Sequence, residues 1–295
     1  MRYKLLLILC FFFSITACQS LPENFDEDKL GTVERDVEYC TMDGVALKMD
    51  VYYPVTKEKK WPMIMYLHSG GWTSGTKSVG LVDIKALQEA GFLLTSVEYR
   101  LAPTYKFPAM IEDVKCAVRF LRAHADEYNI DSERFGAIGP SAGGHLALLL
   151  GVTDQTAGFD VGEYLNYSSK VQAVVEMCGI ADLTPPFTKT LFFDRMEVFG
   201  TFDDRDPIFA RASPISYVTS DDPPILIFHG EFDTTVPPKQ SMRLFNHLQA
   251  EGVEAEFIMV KNADHSFLPI DENPISPSLE EIKSKTVRFF KQKLK

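Results

Sequence analysis

The first candidate for chemistry is Ser141, which lies in the segment GPSAG at residues 139–143 and so matches the pattern G-x-S-x-G. An apolar run at 135–138 precedes this segment and a mostly apolar stretch at 144–150 follows it, which predicts a strand, a tight turn and a buried helix in succession. Glycines two residues before and two residues after the serine remove Cβ atoms that would collide in such a turn. The spacing predicts that Ser141 is a nucleophile at the edge of a sheet.

A serine hydroxyl is a weak nucleophile at neutral pH, so it needs a base within hydrogen-bonding reach that is itself oriented by a carboxylate. Of the six histidines, His265 fits best, because it follows the last predicted strand, where a loop can bring an imidazole to the carboxyl edge of the sheet. The remaining histidines are interpreted as structural, locally hydrogen-bonded or surface residues, namely His68, His124, His145, His229 and His247.

Asp233 is the preferred acid, because it lies where the loop after a predicted strand turns back before the next helix. Glu231 is the alternative on the same loop. Asp264 is too close in sequence to His265 to orient that imidazole easily, and Asp182 precedes an irregular segment. The predicted triad is therefore Ser141, Asp233 and His265, which occur in this order along the chain.

Acyl transfer also needs hydrogen-bond donors for the developing oxyanion, each worth about 3 kcal/mol of transition-state stabilisation. The segment HSGGW at 68–72 directly follows a predicted strand and supplies a glycine-rich turn. We expect the backbone amides of Gly70, Gly71 and Ala142 to form the oxyanion hole. Trp72 is predicted either to line the substrate pocket or to pack within this loop.

The rest of the chain alternates short β-rich runs with amphipathic helical stretches, which predicts an α/β fold with a mostly parallel sheet and helices on both faces. An antiparallel pair over 37–54 opens the sheet, with a turn at Asp43-Gly44. Further strands are predicted at 63–68, 92–98, 134–139, 171–178, 224–229 and 255–261, and helices at 79–90, 109–128 and 278–293. The irregular segment at about 179–220 is predicted to be a lid-like insert or, alternatively, a surface loop without a role.

The composition is that of a globular protein: 295 residues, 45% of them hydrophobic, and a formal net charge of −11. This acidic balance, without a Lys/Arg-rich stripe, excludes a general nucleic-acid binder. Five cysteines without a CxxC pair do not indicate a disulfide-dense scaffold, a zinc site or a redox site.

The N-terminus is typical of a secretory signal: Arg2 and Lys4 precede an apolar run that is too short for a transmembrane helix. Residues 15–18, ITAC, resemble the lipobox of bacterial lipoproteins, so we expect a lipoprotein signal peptide at 1–17, lipidation of Cys18 and a polar tether over 18–32. The alternative is ordinary signal cleavage near Ala17. Either way the domain is predicted to span 33–295, and the protein to be exported, in the first case as a lipid-anchored component of the cell envelope.

Three cysteines would then remain in the domain, namely Cys40, Cys116 and Cys178. Since three cannot all pair with one another, at least one is predicted to be a buried thiol.

With these residues in place, the chain resembles the α/β-hydrolase superfamily over about residues 33–295, and within it the esterase group that includes hormone-sensitive-lipase-like and BD-FAE (feruloyl-type carbohydrate esterase) proteins. The similarity lies in HSGGW at 68–72, YRLAP at 99–103, and longer segments at 108–131, 139–151, 213–237 and 262–267. Two residues depart from the family pattern: Ser69 stands where glycine is usual, and Glu231 where aspartate is more frequent.

The resemblance implies a serine esterase that works through an acyl-enzyme without a metal or organic cofactor, acting on an acylated carbohydrate or another small ester. It assigns the nucleophile, acid, base and oxyanion donors to the same residues as the reasoning above. Two alternatives stay open. The first is a peptidase or an arylformamidase-type amide hydrolase, which would use the same catalytic residues. The second is a non-catalytic lipoprotein that has the hydrolase fold and binds glycan or lipid.

Overall fold

In a computed structural model of the chain, residues 25–78, 80, 82–186 and 194–295 are described. The predicted signal peptide at 1–17 and the predicted lipidation site at Cys18 lie outside these residues. None of the helices in the described ranges is long and apolar enough to cross a membrane.

Within the described residues, eight strands form one sheet in the order β1-β2-β4-β3-β5-β6-β7-β8. The strands are β1 (Val33–Met42), β2 (Val45–Tyr52), β3 (Trp61–Leu67), β4 (Leu93–Val97), β5 (Ile130–Pro140), β6 (Ala173–Met177), β7 (Ile225–Gly230) and β8 (Ala255–Val260). The first two strands and the β2–β4 pair are antiparallel, and every later pair is parallel. The predicted mostly parallel sheet is confirmed.

Helices cover both faces of the sheet, as predicted. They are α1 (Ile84–Glu89), α2 (Ala109–Ala123), α3 (Ala142–Val152), α4 (Arg195–Phe199), α5 (Ile208–Arg211), α6 (Lys239–Ala250) and α7 (Leu279–Leu294). Side chains of α2, α3 and α6 pack in one apolar core, and side chains of α1 and α7 pack in a second core. Every residue of β3, β4 and β6 is buried, including the polar Thr95, Ser96 and Glu176, because both faces of a central strand are covered.

Two predicted helices are shorter in the structure. Helix α1 begins at Ile84, because the Asp83 side chain accepts a hydrogen bond from the Ala86 amide and caps the helix there. Part of the predicted stretch before it, residues 79 and 81, lies outside the described residues. Helix α2 ends at Ala123, after which the chain turns through Asn129, whose φ is 53°, into β5. Local helical spacing alone did not show these stops.

The folded domain begins earlier than the boundary predicted at residue 33. The Phe25 ring lies edge-on to Trp61 with ring centroids 5.0 Å apart, and Lys29 donates hydrogen bonds to Glu34 at 3.1 Å and to the Tyr53 hydroxyl at 3.2 Å. These contacts bind residues 25–32 to the domain. Residues 25–32, which the sequence assigns to the tether, therefore belong to the folded domain.

A disulfide between Cys40 and Cys116 joins the edge strand β1 to helix α2. Cys178 is free and buried, which confirms that at least one of the three cysteines is a buried thiol. The disulfide closes a loop of 76 residues, so it restricts the unfolded chain as well as holding the edge of the sheet.

Replacing both Cys40 and Cys116 with serine is expected to lower the free energy of unfolding by about 4 kcal/mol, since the unfolded chain regains the entropy of the open loop. Urea unfolding of the oxidised protein and the double variant measures the difference. Wild-type protein reduced with dithiothreitol serves as the control and should unfold like the variant. Equal midpoints for oxidised wild type and the variant would show that the disulfide does not stabilise the fold.

Candidate active site

Ser141 lies in the turn between β5 and α3, where its backbone has φ 53° and ψ −119°. A non-glycine residue rarely adopts such a conformation, and it persists only where the surroundings hold it. Here the Ser141 amide donates a hydrogen bond to the Met177 carbonyl at 2.8 Å, and the Ser141 carbonyl accepts one from the His145 amide at 3.0 Å. The nucleophile predicted from the sequence thus lies in a strained turn held between a strand and a helix.

The glycines on either side of Ser141 are required by backbone packing. A Cβ atom on Gly139 would lie 2.7 Å from the Leu67 carbonyl oxygen. A Cβ atom on Gly143 would lie 2.7 Å from the His68 carbonyl oxygen and still closer to that of Leu67. Because these neighbouring atoms belong to the backbone of adjacent segments, they cannot move aside as a flexible side chain could. Only glycine therefore fits at both positions.

Asp233 and His265, which are 32 residues apart in sequence, are brought together by the loops after β7 and β8. The His265 Nδ1 atom lies 2.6 Å from the Asp233 Oδ2 atom. The other carboxylate oxygen of Asp233 accepts hydrogen bonds from the amides of Thr235 at 2.9 Å and Val236 at 2.8 Å. The Asp233 side chain is buried, whereas that of His265 is 22% exposed and open to the surroundings.

The environment of Asp233 favours its ionised form. Burial alone would raise the pKa of Asp233, but hydrogen bonds from His229 and His265 outweigh burial and lower the pKa to about 2. The carboxylate is therefore charged across the whole neutral range. It can hold the His265 imidazole by one nitrogen and stabilise a positive charge on that ring.

Two consecutive residues at the end of β6 connect the serine turn with the histidine loop. The Met177 carbonyl accepts the hydrogen bond from Ser141, and the Cys178 thiol donates a weak one to the His265 carbonyl, with sulfur and oxygen 3.4 Å apart. Burial raises the pKa of the Cys178 thiol well above its usual range, so the group is an uncharged packing residue. Sequence patterns predict a buried thiol but not this contact.

Cys178, Asp233 and His265 place one donor atom each within 4.8 Å of one another, as metal ligands could. Two ligands of one tetrahedral zinc ion would stand about 3.3 Å apart, given metal–ligand bonds of about 2.0 Å. The distance of 2.6 Å between Asp233 and His265 is shorter and fits a charge-assisted hydrogen bond. The arrangement suits an acid–base pair better than a zinc site.

The predicted oxyanion loop follows β3 and starts directly beside the serine turn, since Leu67 and His68 are the residues that Gly143 approaches. Gly70 and Gly71 have φ values of 120° and 60°. A Cβ atom on Gly70 would collide with the Ser74 carbonyl, so that position also requires glycine. The structure places this glycine turn and Ala142, the first residue of α3, on the two segments that meet at Ser141.

Trp72 and His145 hold the oxyanion loop in place. The Trp72 indole nitrogen donates a hydrogen bond to His145 Nδ1 at 3.2 Å, and His145 Nε2 donates to the Ala212 carbonyl at 2.7 Å. Burial lowers the pKa of His145 to about 4, which keeps this imidazole neutral. Of the two possibilities for Trp72, the structure favours loop packing, because the side chain is buried against His145 and Phe199. His145 is structural, as expected.

His68 is likewise engaged within the loop. Its ring stacks on that of Tyr99 with centroids 4.1 Å apart, and its Nδ1 atom lies 2.7 Å from the Ser69 carbonyl. The Tyr99 hydroxyl donates to the His68 carbonyl at 2.7 Å, so this tyrosine of the YRLAP segment supports the start of the loop.

The alternative acids have other partners. Glu231 accepts a hydrogen bond from Lys261 at 2.9 Å, Asp182 pairs with Arg243 at 2.7 Å, and Asp264 accepts from the Ser266 amide. Among the described residues, none of these three carboxylates forms a hydrogen bond or ion pair with the His265 ring, whose carboxylate partner is Asp233.

His229 has a contact that the sequence reasoning missed. Its Nε2 atom lies 3.2 Å from the Asp233 carboxylate oxygen that also binds His265. The sequence spacing could have indicated this contact, because Asp233 follows His229 by four positions, in the loop directly after β7.

Known proteins similar to this chain are esterases. The sequence matches the BD-FAE family over residues 49–248 and the dienelactone hydrolase family over residues 206–294. Esterase LipC of Mycobacterium tuberculosis is 30% identical over 231 residues, which cover 76% of this chain and 57% of LipC. Isoprenylcysteine alpha-carbonyl methylesterase ICME of Arabidopsis thaliana is 24% identical over 266 residues, which cover 85% of this chain and 60% of that protein. The chain spans about half the length of the curated relatives it matches.

Two solved structures share the architecture. A truncated form of a carbohydrate esterase from gut microbiota superposes with a TM-score of 0.77 at 27% identity, covering 93% of this chain and 99% of that one. A bifunctional GH43-CE protein of Bacteroides eggerthii superposes with a TM-score of 0.78 at 30% identity, covering 90% of this chain and 38% of that one. These similarities confirm the predicted α/β-hydrolase fold.

Replacing Gly143 with alanine is expected to displace Ser141, because the added methyl group meets the Leu67 and His68 carbonyls. We expect the free energy of unfolding to fall by about 1–3 kcal/mol and the rate of Ser141 labelling by a fluorophosphonate probe to fall about a hundredfold. The control is Gly80→Ala, whose added carbon would come no closer than 3.4 Å to its nearest neighbour. Wild-type labelling in the Gly143 variant would refute the packing argument.

Proposed function

The chain belongs to the BD-FAE family and has the α/β-hydrolase fold, and on that premise we propose that it is a serine hydrolase that cleaves carboxylic esters. Ser141 is the proposed nucleophile, His265 the base and Asp233 the acid. One observation carries the proposal, namely the buried Asp233 carboxylate at 2.6 Å from His265, on a loop that the end of β6 connects to the strained turn of Ser141. The oxyanion donors in this proposal are the amides of Gly70, Gly71 and Ala142.

The reaction proceeds in two steps. The Ser141 hydroxyl attacks the ester carbonyl while His265 Nε2 takes its proton, and the tetrahedral oxyanion is stabilised by the backbone amides. The imidazolium of His265 then gives that proton to the departing alcohol, leaving an acyl group on Ser141. Water, activated by the same imidazole, releases the acid and restores the serine. Asp233 keeps its charge throughout and holds the Nδ1 proton of His265.

We propose an acylated carbohydrate or another small ester as the substrate. The support is the similarity to the gut carbohydrate esterase, which covers almost the whole of both chains. The acyl group would be short or feruloyl-like, since the resemblance is to feruloyl-type esterases.

We also propose that the protein is exported and lipid-anchored through Cys18. The apolar N-terminal run and the segment ITAC at 15–18 motivate this assignment. The disulfide between Cys40 and Cys116 supports export, because such bonds form and persist mainly outside the reducing cytoplasm. The acidic body of the protein would then be held at a membrane by acyl chains, not by charge.

The Ser141→Ala variant is expected to lose p-nitrophenyl acetate turnover by about a thousandfold or more, because the nucleophile is gone while the fold is kept. The control is Ser284→Ala, an exposed serine on α7 that should leave the rate unchanged. Equal rates for wild type and Ser141→Ala would remove the proposal.

A substrate panel then separates the activities that share this machinery. It comprises acetyl, feruloyl and longer-chain p-nitrophenyl esters, acetylated xylan and matching p-nitroanilides. Faster turnover of the anilides than of the esters would favour an amide hydrolase.

Replacing Cys18 with serine in the full chain is expected to abolish labelling by radioactive palmitate and to move the protein from the membrane fraction to the soluble one, because the acyl chains provide the binding energy for the bilayer. Cys10→Ser is the matched control, since this cysteine lies within the predicted signal and should not affect labelling. A Cys18→Ser protein that still carries palmitate would contradict the assignment.

A further inference from the structure

Behind Asp233, three further polar side chains form a buried chain that the mechanism above does not use. Glu176 on β6, His229 at the end of β7 and Ser241 on α6 are each completely inaccessible to solvent. The Ser241 hydroxyl lies 3.2 Å from Glu176 Oε2 and 2.7 Å from His229 Nδ1. The other imidazole nitrogen of His229 reaches Asp233, so the chain ends at the carboxylate of the proposed triad.

The proton on His229 can be placed from its neighbours. Its Nε2 atom lies 2.8 Å from the Val236 carbonyl oxygen and 3.2 Å from Asp233 Oδ2. Both of these oxygens can only accept, because Asp233 is ionised and a carbonyl has no proton. His229 Nε2 therefore carries a proton and donates towards Asp233.

Ser241 supplies the remaining links. The Gly179 amide donates to Oε1 of Glu176, and Oε2 of the same carboxyl lies 3.2 Å from the Ser241 hydroxyl. That hydroxyl lies 2.7 Å from His229 Nδ1, so Ser241 joins Glu176 to His229, whose Nε2 proton faces Asp233. Burial raises the pKa of Glu176. Each buried polar group in this arrangement has a partner, as a buried network requires.

We propose that His229 is a positioning residue of the catalytic triad, which binds the same carboxylate oxygen of Asp233 as His265 and is itself fixed by Ser241 and Glu176. This inference rests on the proposed esterase function. With His229, the Asp233 carboxylate receives hydrogen bonds from two imidazoles and two backbone amides. It cannot rotate when the proton from Ser141 arrives on His265.

Removing the His229 donor has a defined effect on pH dependence. The Asp233 charge would be shared among fewer donors, so it would stabilise the protonated form of His265 more strongly. The acid limb of kcat/KM would then move to higher pH. The other ionisable groups near this carboxylate are Glu176, Cys178 and Asp264, all of which the substitution leaves in place.

The test compares two substitutions of His229. His229→Leu removes the donor and is expected to lower kcat about tenfold with little change in KM, and to move the acid limb of kcat/KM up by about half a pH unit. His229→Gln places an amide that can donate to Asp233 and should recover most of the rate and the wild-type acid limb. His247→Leu, a histidine on the outer part of α6, is the matched control.

Two smaller substitutions test the rest of the chain. Ser241→Ala breaks the link to His229 and should move the acid limb in the same direction as His229→Leu, by a smaller amount. Glu176→Gln keeps a hydrogen-bonding side chain of the same size beside Ser241, so it should keep the pH profile in place. If His229→Leu does not fold, these two variants still test the role of His229. Each changes at most one polar atom and is therefore expected to fold.

Three outcomes would overturn the inference. The first is a folded His229→Leu variant with the wild-type pH profile, and the second is equal loss in His229→Leu and His229→Gln. The third is a shift of the acid limb in Glu176→Gln as large as in His229→Leu, since the charge of Glu176, and not the position of His229, would then govern the acid limb.

A readout without substrate keeps this test apart from that of the proposed function. The proton between His265 and Asp233 should give a downfield NMR resonance in wild type that shifts in His229→Leu and returns in His229→Gln. A wild-type protein that hydrolyses no ester would refute the esterase proposal, whereas an unmoved resonance in His229→Leu would refute the role of His229.

Discussion

The buried negative charge of Asp233 is the interaction on which the site depends. A carboxylate out of contact with water is costly unless every oxygen is hydrogen-bonded. Asp233 meets this demand with donors from its own loop, from the end of β7 and from the histidine loop. Those donors come from separate parts of the chain, so the site forms only when the C-terminal strands are in register. The charge of the proposed catalytic acid also holds these segments together.

The second constraint is the close approach of backbone around Ser141. The turn between β5 and α3 touches the end of β3 so closely that Gly139 and Gly143 admit no side chain. Such contact holds a serine at a positive φ, because the surrounding strands cannot move apart without breaking the sheet. The same contact brings the glycine turn at Gly70 and Gly71 beside the proposed nucleophile. Strain at Ser141 and the placement of the proposed oxyanion donors therefore have one structural cause.

Much of this arrangement could be predicted from the sequence, because it is carried by short-range patterns. The apolar runs that became β3, β4 and β6 and the glycine spacing around Ser141 depend on neighbouring residues alone. Element ends were less predictable: α1 starts at a cap formed by Asp83, and α2 stops before Asn129. The packing of Phe25, which lies in an acidic stretch, could not be predicted, because its partner Trp61 is distant in sequence.

The contacts of His229 and Cys178 could not be predicted from the sequence either. Each residue was visible in the sequence, His229 as the end of a strand and Cys178 as a buried thiol. What each one touches depends on how β6, β7 and the histidine loop meet in space. A sequence pattern gives residue types and local spacing, whereas a buried hydrogen-bond chain such as Glu176, Ser241 and His229 joins residues that no local pattern connects.

The described parts of the segment at about 179–220, predicted to be a lid-like insert or a surface loop, are packed against the rest of the domain. In its described parts, two short helices bury Val198, Phe199 and Phe209 in the main apolar core. The Val198 carbonyl accepts a hydrogen bond from the Phe107 amide at 2.9 Å, and the Ala212 carbonyl accepts one from His145. Since His145 also holds Trp72, the insert, the nucleophile helix and the oxyanion loop share one buried imidazole. These described parts of the insert are therefore packed into the domain core.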